Sequence, residues 1–240
     1  MTTPSESGPP PARSSARAIA RRVAQIGVLI LLQAAVLFLS AGSLTWWPGW
    51  AYMALYLFLI LINAILILPN EQGLIEERSR AKGEMRPWDR TFTRATTLLG
   101  PAILLIGGLD ERFGWPPAIA MWVQIAAGAV IGVSYLLFAW AMSSNRFFSA
   151  IVRVQLDRGH TVVSTGPYRY VRHPAYAGML VYGLATPLLL GSLWALVPAV
   201  LLDAAVIART ALEDATLQRE LDGYADYAHR VRFRLFPRVW

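Results

Sequence analysis

The chain has 240 residues, 55% of them hydrophobic and 15% charged, with a formal net charge of +7. A soluble domain of this size rarely combines such values, so the composition points to burial in a membrane. The absence of cysteine excludes disulfides, thiolate nucleophiles and cysteine metal sites, and three histidines are too few for a histidine-rich metal centre.

Residues 1–16 are rich in Pro, Ser and Ala without periodic apolar pattern, and a disordered tail is expected over residues 1–20. Apolar runs follow at 23–41, 50–69, 97–109, 118–142, 176–191 and 193–208. About 20 residues cross a bilayer as a helix, a length that the first, second and fourth runs reach. The third is short and carries Pro101 and Gly107-Gly108. The fifth and sixth are separated only by Gly191-Ser192 and read as a tight helical hairpin that need not reach the far surface. Arg21-Arg22 precede the first run, but its length and the lack of an Ala-x-Ala site favour an uncleaved span over a secretory signal.

Charge sets the orientation. Lys and Arg number four in the N-terminal tail, six in 70–96, five in 143–175 and six in 209–240, while the opposite loops hold only Arg112. The positive-inside rule puts both termini and the long polar loops in the cytoplasm. The basic charge therefore reads as topology, and no nucleic-acid partner is expected. Trp46, Trp47, Trp50 and Trp115 fit an outer aromatic belt. The expected fold is all-α: a polytopic membrane protein with about six transmembrane helices, membrane helices over 21–142 and a C-terminal region over 143–240.

The most informative stretch is Gly166-Pro-Tyr-Arg-Tyr-Val-Arg-His-Pro-Ala-Tyr-Ala-Gly178. Pro174 suits the first turn of a helix, so His173 marks its start. Free backbone N–H groups and the helix dipole at such a start favour an anion. Arg169 and Arg172 add positive charge, and Tyr168, Tyr170 and Tyr176 add aromatic faces; together they suit a ligand with both a carboxylate and a cation. Further candidates are the 144–160 segment with Arg146, Arg153, Gln155 and His160, and the 209–240 segment. Arg209 and Glu213 share a helix face. Asp203 lies deeper in the same run and needs a partner or a cavity. The closing Arg230–Trp240 segment alternates Arg with apolar residues, as an interfacial anchor does. There is no Rossmann fingerprint, Walker loop or His-Glu-x-x-His.

Taken together, Gly166, Tyr168, Arg172-His173-Pro174, Tyr176 and Gly178, then Glu213-Asp214 and Leu217, then Tyr224 and Tyr227, resemble the isoprenylcysteine carboxyl methyltransferase family of integral membrane enzymes, including its bacterial branch. The resemblance covers roughly residues 140–240; Asp214 stands where that acidic pair is often two glutamates. It implies a catalytic methyltransferase core over 143–240, with S-adenosylmethionine held in a cytoplasmic C-terminal cofactor site and a lipophilic acceptor, foremost a carboxylate, delivered from membrane lipid. The implied cofactor-binding residues are Gln155, Gly166, Pro167, Tyr168, Arg172, His173, Pro174, Tyr176, Glu213, Leu217, Tyr224 and Tyr227. Arg172, Arg209 and Glu213 are the implied catalytic residues. The expected location is a bacterial inner membrane. Membrane sterol reductases that use NADPH resemble the same C-terminal pattern, and a non-enzymatic membrane binding protein is a third reading. Leu221-Asp-Gly-Tyr224 lacks the lysine those reductases carry there.

Overall fold

The computed structural model describes residues 12–67, 85–149 and 151–240, and every regular element among them is helical. The helices are α1 (Ala12–Ala41), α2 (Trp47–Ile67), α3 (Pro87–Thr96), α4 (Leu99–Phe113), α5 (Met121–Ser144), α6 (Pro174–Leu189), α7 (Leu196–Glu220) and α8 (Tyr224–Arg230), with single 3₁₀ turns at Leu156–Arg158 and Gly166–Arg169. The six apolar runs become α1, α2, α4, α5, α6 and α7. Val23–Ala41, Pro87–Phe113 and Met121–Ser144 are long and apolar enough to cross a bilayer, and Trp47–Asn63 and Pro174–Leu189 are shorter apolar helices.

Four local expectations change. Residues 12–20, read as tail, belong to α1; they contain no Gly or Pro and are rich in the strong helix formers Ala and Arg. The tail's residues 1–11 lie outside the described residues. Part of the polar loop 70–96 is the helix α3: Pro87 sits in its first turn and Asp89 follows there, where the dipole favours an acid. The loop's residues 70–84 lie outside the described residues. Helix α7 continues beyond the apolar run to Glu220, because Ala, Leu, Glu and Gln keep it helical after the hydrophobic pattern stops. Trp46 is only 3% exposed and joins the core, so the exposed aromatic residues at this end of the bundle are Trp47, Trp50 and Trp115, with Trp194 half-exposed beside them.

The largest buried cluster joins α1, α2, α4, α5 and α6; α5 and α6 share the most extensive packing, with α7 on α6, α1 on α4 and α2 on α5. Gly178 makes the α5–α6 approach possible, since a Cβ there would lie 2.7 Å from the Ser134 carbonyl oxygen. Some polar groups within the spans are satisfied between helices. Tyr135 Oη donates to the Leu59 carbonyl at 2.7 Å and accepts from Asn63, and Tyr52 Oη donates to Gln33 Oε1 at 2.9 Å. In hydrocarbon no water can take these roles, so such bonds help fix the pairing of α1, α2 and α5. The protein is an integral membrane protein whose polar cluster sits where α6 begins and α7 ends.

Candidate functional site

Asp214 organises that cluster. It is fully buried near the end of α7, beyond the apolar run. Arg172 grips it side-on, Nε to Oδ1 at 2.7 Å and Nη2 to Oδ2 at 2.9 Å. Tyr224 Oη donates to Oδ1 at 3.0 Å, and Gln218 and Arg234 donate to Oδ2 at 2.8 and 2.9 Å. His173 Nε2 lies 3.2 Å from Oδ1. Burial alone would push this carboxyl up; the hydrogen bonds from His173, Arg172 and Arg234 instead hold it well below the usual carboxylate range.

The C-terminal segment completes the arrangement. Backbone N–H groups of Arg172 and His173 donate to the carbonyls of Phe233 and Arg234 at 3.0 and 2.8 Å. Arg172 Nη1 donates to the carbonyls of Val231 and Arg232, both at 2.8 Å. Arg234 stacks over the Trp240 ring at 4.8 Å. The basic tail is thus a strap bound along the start of α6, a larger role than the interfacial anchor expected from its alternation. It also takes two N–H groups that the helix start was expected to offer a ligand. Those of Ala175 and Tyr176 have no partner among the described residues and are the donors of the first turn left to a ligand. Arg169 is turned away: its Nε donates to the Gly166 carbonyl at 3.1 Å and its guanidinium lies over Tyr170.

A second group of side chains sits beside this hub. Tyr176 Oη donates to Glu213 Oε2 at 2.6 Å. Arg209 lies over the rings of Phe92 and Tyr176 at 5.0 and 5.6 Å, and its Nε meets Asp89 Oδ1 at 2.9 Å. Asp89 is fully buried and also accepts from the Val152 N–H at 3.0 Å. Adjacent positions on a helix point about 100° apart, so Glu213 and Asp214 face different surroundings: Asp214 the strap, Glu213 the tyrosine and the Arg209 cation.

The remaining predicted residues brace this frame. Gly166 has φ of 58°, and a Cβ there would lie 2.3 Å from Ser144 Oγ. Pro167 is buried beside it. Tyr168 is buried, which pushes its phenol up to about 12, and its carbonyl accepts from Tyr227 Oη at 2.6 Å. Leu217, Tyr224 and Tyr227 pack together in one apolar cluster. Pro174 is buried at the start of α6. Gln155 stands apart from the cluster: its amide donates to the Phe147 carbonyl at 2.7 Å and accepts from Arg158 at 2.6 Å, which closes the 147–158 loop.

Two central residues, Asp214 and Asp89, were not among the predicted site residues. Asp214 was visible as half of an acidic pair, and Gln218 four residues on shares its helix face. Asp89 had a weaker signal, an acid two residues after a proline, and its pairing with Arg209 spans parts of the chain that no local pattern connects.

Residues 125–219 match the isoprenylcysteine carboxyl methyltransferase family model. A protein-S-isoprenylcysteine O-methyltransferase of Schizosaccharomyces pombe is 38% identical over 58 residues, 24% of this chain and 25% of that protein. Protein-S-isoprenylcysteine O-methyltransferase A of Arabidopsis thaliana is 27% identical over 88 residues, 37% of this chain and 41% of that protein. The matches thus span a quarter to less than half of these relatives' length. The solved structure of the eukaryotic intramembrane Ras methyltransferase superposes with a TM-score of 0.52 at 17% identity, covering 90% of this chain and 78% of that one. The likeness carried by the 166–178 motif is therefore one to the isoprenylcysteine carboxyl methyltransferase family, in sequence over residues 125–219 and in fold over most of the chain.

Proposed function

We propose that this chain is a membrane methyltransferase that moves a methyl group from S-adenosylmethionine to a lipophilic acceptor, a carboxylate foremost. The observation that carries this reading is the pairing of Tyr176 with Glu213 beside the Arg172–Asp214 hub, within the segment matched to the family. Relatives are named for a prenylated cysteine acceptor, and an amphiphile of comparable polarity suits a polar site bordered by the apolar packing of Phe92, Tyr176 and Phe236.

The residues present fit such a cofactor. Glu213 accepts one hydrogen bond from Tyr176 and keeps acceptor capacity for an amine or hydroxyl. The orphan N–H groups of Ala175 and Tyr176 suit a carboxylate. When bound, S-adenosylmethionine supplies an electrophilic methyl group on a sulfonium. An acceptor carboxylate is already charged, so no side chain here has to act as a strong base. Arg209, held between Phe92 and Tyr176, orients that carboxylate electrostatically, and Asp89 fixes Arg209. The apolar packing of Phe92, Tyr176 and Phe236 excludes water. Catalysis is then alignment and desolvation. The hub, with Gly166, Pro167, Tyr168, Leu217, Tyr224 and Tyr227, positions these groups.

The one-sided arginine distribution supports cytoplasmic termini in a bacterial inner membrane, with cofactor reaching the site from the cytoplasm. Calorimetric titration tests the cofactor assignment: S-adenosylmethionine should bind and NADPH should not compete, and tighter binding of NADPH would overturn it.

A further inference from the structure

Asp203 is a carboxylate at membrane depth that nothing in the proposed methyl-transfer chemistry uses. It is 8% exposed, and its Oδ2 makes no hydrogen bond among the described residues. It lines a groove of about 320 Å³ between α6 and α7, with Leu180, Leu184, Val200, Ile207 and Phe236 as apolar walls. The opposite side is shaped to admit it. Gly183 faces the carboxylate so closely that a Cβ there would lie 2.6 Å from Oδ1. A polar atom left unsatisfied in an apolar setting is costly, and ionisable residues at this depth mark ligand paths more often than structure.

The groove borders the proposed site. Leu180 and Phe236 belong to the same packed cluster as Tyr176 and Phe92, the rings that hold Arg209. Tyr176 and Gly183 are seven residues apart on α6, about 10 Å. Glu213 and Asp203 are ten apart on α7, about 15 Å. Both helices thus place the lone carboxylate well down the length of a lipid chain whose head lies at Arg209 and Tyr176.

We infer that the α6–α7 groove holds the acceptor's apolar chain and that Asp203 accepts a hydrogen bond from a donor group, a hydroxyl foremost, part-way along it. This deepens the methyltransferase reading and rests on it for the head group. An unsubstituted hydrocarbon or plain isoprenoid chain would leave Asp203 unsatisfied, so the acceptor class is a hydroxylated amphiphile.

Oleate and ricinoleate, which differ in a mid-chain hydroxyl, provide the test. Their binding to the full-length chain in detergent is measured by competition against a fluorescent fatty acid, and methyl ester formation is followed in parallel. The parent should prefer ricinoleate by roughly tenfold, the effect of one added buried hydrogen bond. Asp203→Leu should erase that preference without weakening oleate, and Asp203→Asn, which keeps an acceptor oxygen, should retain part of it. Equal affinities in the parent, or a preference that survives Asp203→Leu, would overturn the inference. The two readings fail separately. Preference without methyl ester formation would support the groove and count against the methyltransferase. Ester formation from both acids without preference would do the reverse.

Discussion

Arg172 and Asp214 meet side-on through two hydrogen bonds of 2.7 and 2.9 Å, both side chains almost wholly withdrawn from solvent. The pair ties the start of α6 to the end of α7, and through Arg172 Nη1 it ties both to the C-terminal strap. The acid that matters most for holding the site together is therefore Asp214, while its neighbour Glu213 is left with acceptor capacity for a ligand.

Asp214→Asn should be among the most destabilising substitutions in the half of the molecule that holds the polar cluster. It leaves Arg172 buried without its counter-charge, a loss of about 3–5 kcal/mol for a broken buried pair. Thermal melting of the ligand-free protein checks this; a melting temperature equal to the parent's would show that the hub is not structural.

Arg172→Lys should also lower stability, by about 1.5–3 kcal/mol, because lysine cannot reproduce the side-on fork or reach the Val231 and Arg232 carbonyls together. Limited proteolysis should release the C-terminal strap of this variant first. A variant that weakens cofactor binding alone and melts like the parent would return Arg172 to the ligand-gripping role its sequence context suggested.

Glu213→Gln should behave in the opposite way. Among the described residues its carboxylate has one hydrogen bond, from Tyr176, so ligand-free melting should stay near the parent value. Affinity for S-adenosylmethionine should fall roughly ten- to a hundredfold, the loss of a charge-assisted hydrogen bond. Calorimetry on parent and variant reads both quantities.

These contrasts show what the sequence could disclose. The six apolar runs mark the helices because hydrophobicity is local and additive along the chain. The first turns of α1 were hidden because propensity, not hydrophobicity, makes them helical, and α3 because it is short, polar on average and poor in strong helix formers, with only Pro87 at its start and one apolar face to mark it. The motif residues Tyr168, Arg172, His173, Tyr224 and Tyr227 do converge, yet Arg172 turns to a carboxylate and two carbonyls of its own chain. Sequence shows which polar groups lie near the site; it does not show which are consumed by each other. The Arg209–Asp89 pair and the strap along 172–173 depend on contacts between distant segments, so no spacing rule reaches them.

The loop that carries His160 should lose stability in mild acid. His160 Nδ1 accepts from the Gln155 N–H at 3.2 Å, which requires the neutral ring at that atom. Burial, then the charges of Arg153, Arg158 and Arg146, push its pKa down. A group depressed on folding contributes stability that is fully present above its ordinary value, about 6.5, and that is lost as pH falls from there until the folded ring is itself protonated. Melting across that interval should decline in the parent and decline less in His160→Gln; identical slopes would remove His160 as the cause.

The most direct test of the central claim is transfer of a labelled methyl group. The purified chain is supplied with methyl-tritiated S-adenosylmethionine and a lipophilic carboxylate such as N-acetyl-S-farnesylcysteine or ricinoleate. Base-labile radioactivity should appear in the lipid fraction, released by alkali as methanol, and should be strongly reduced in Glu213→Gln. Lipid-soluble label absent from the parent, or acceptor-dependent oxidation of NADPH in its place, would contradict the account.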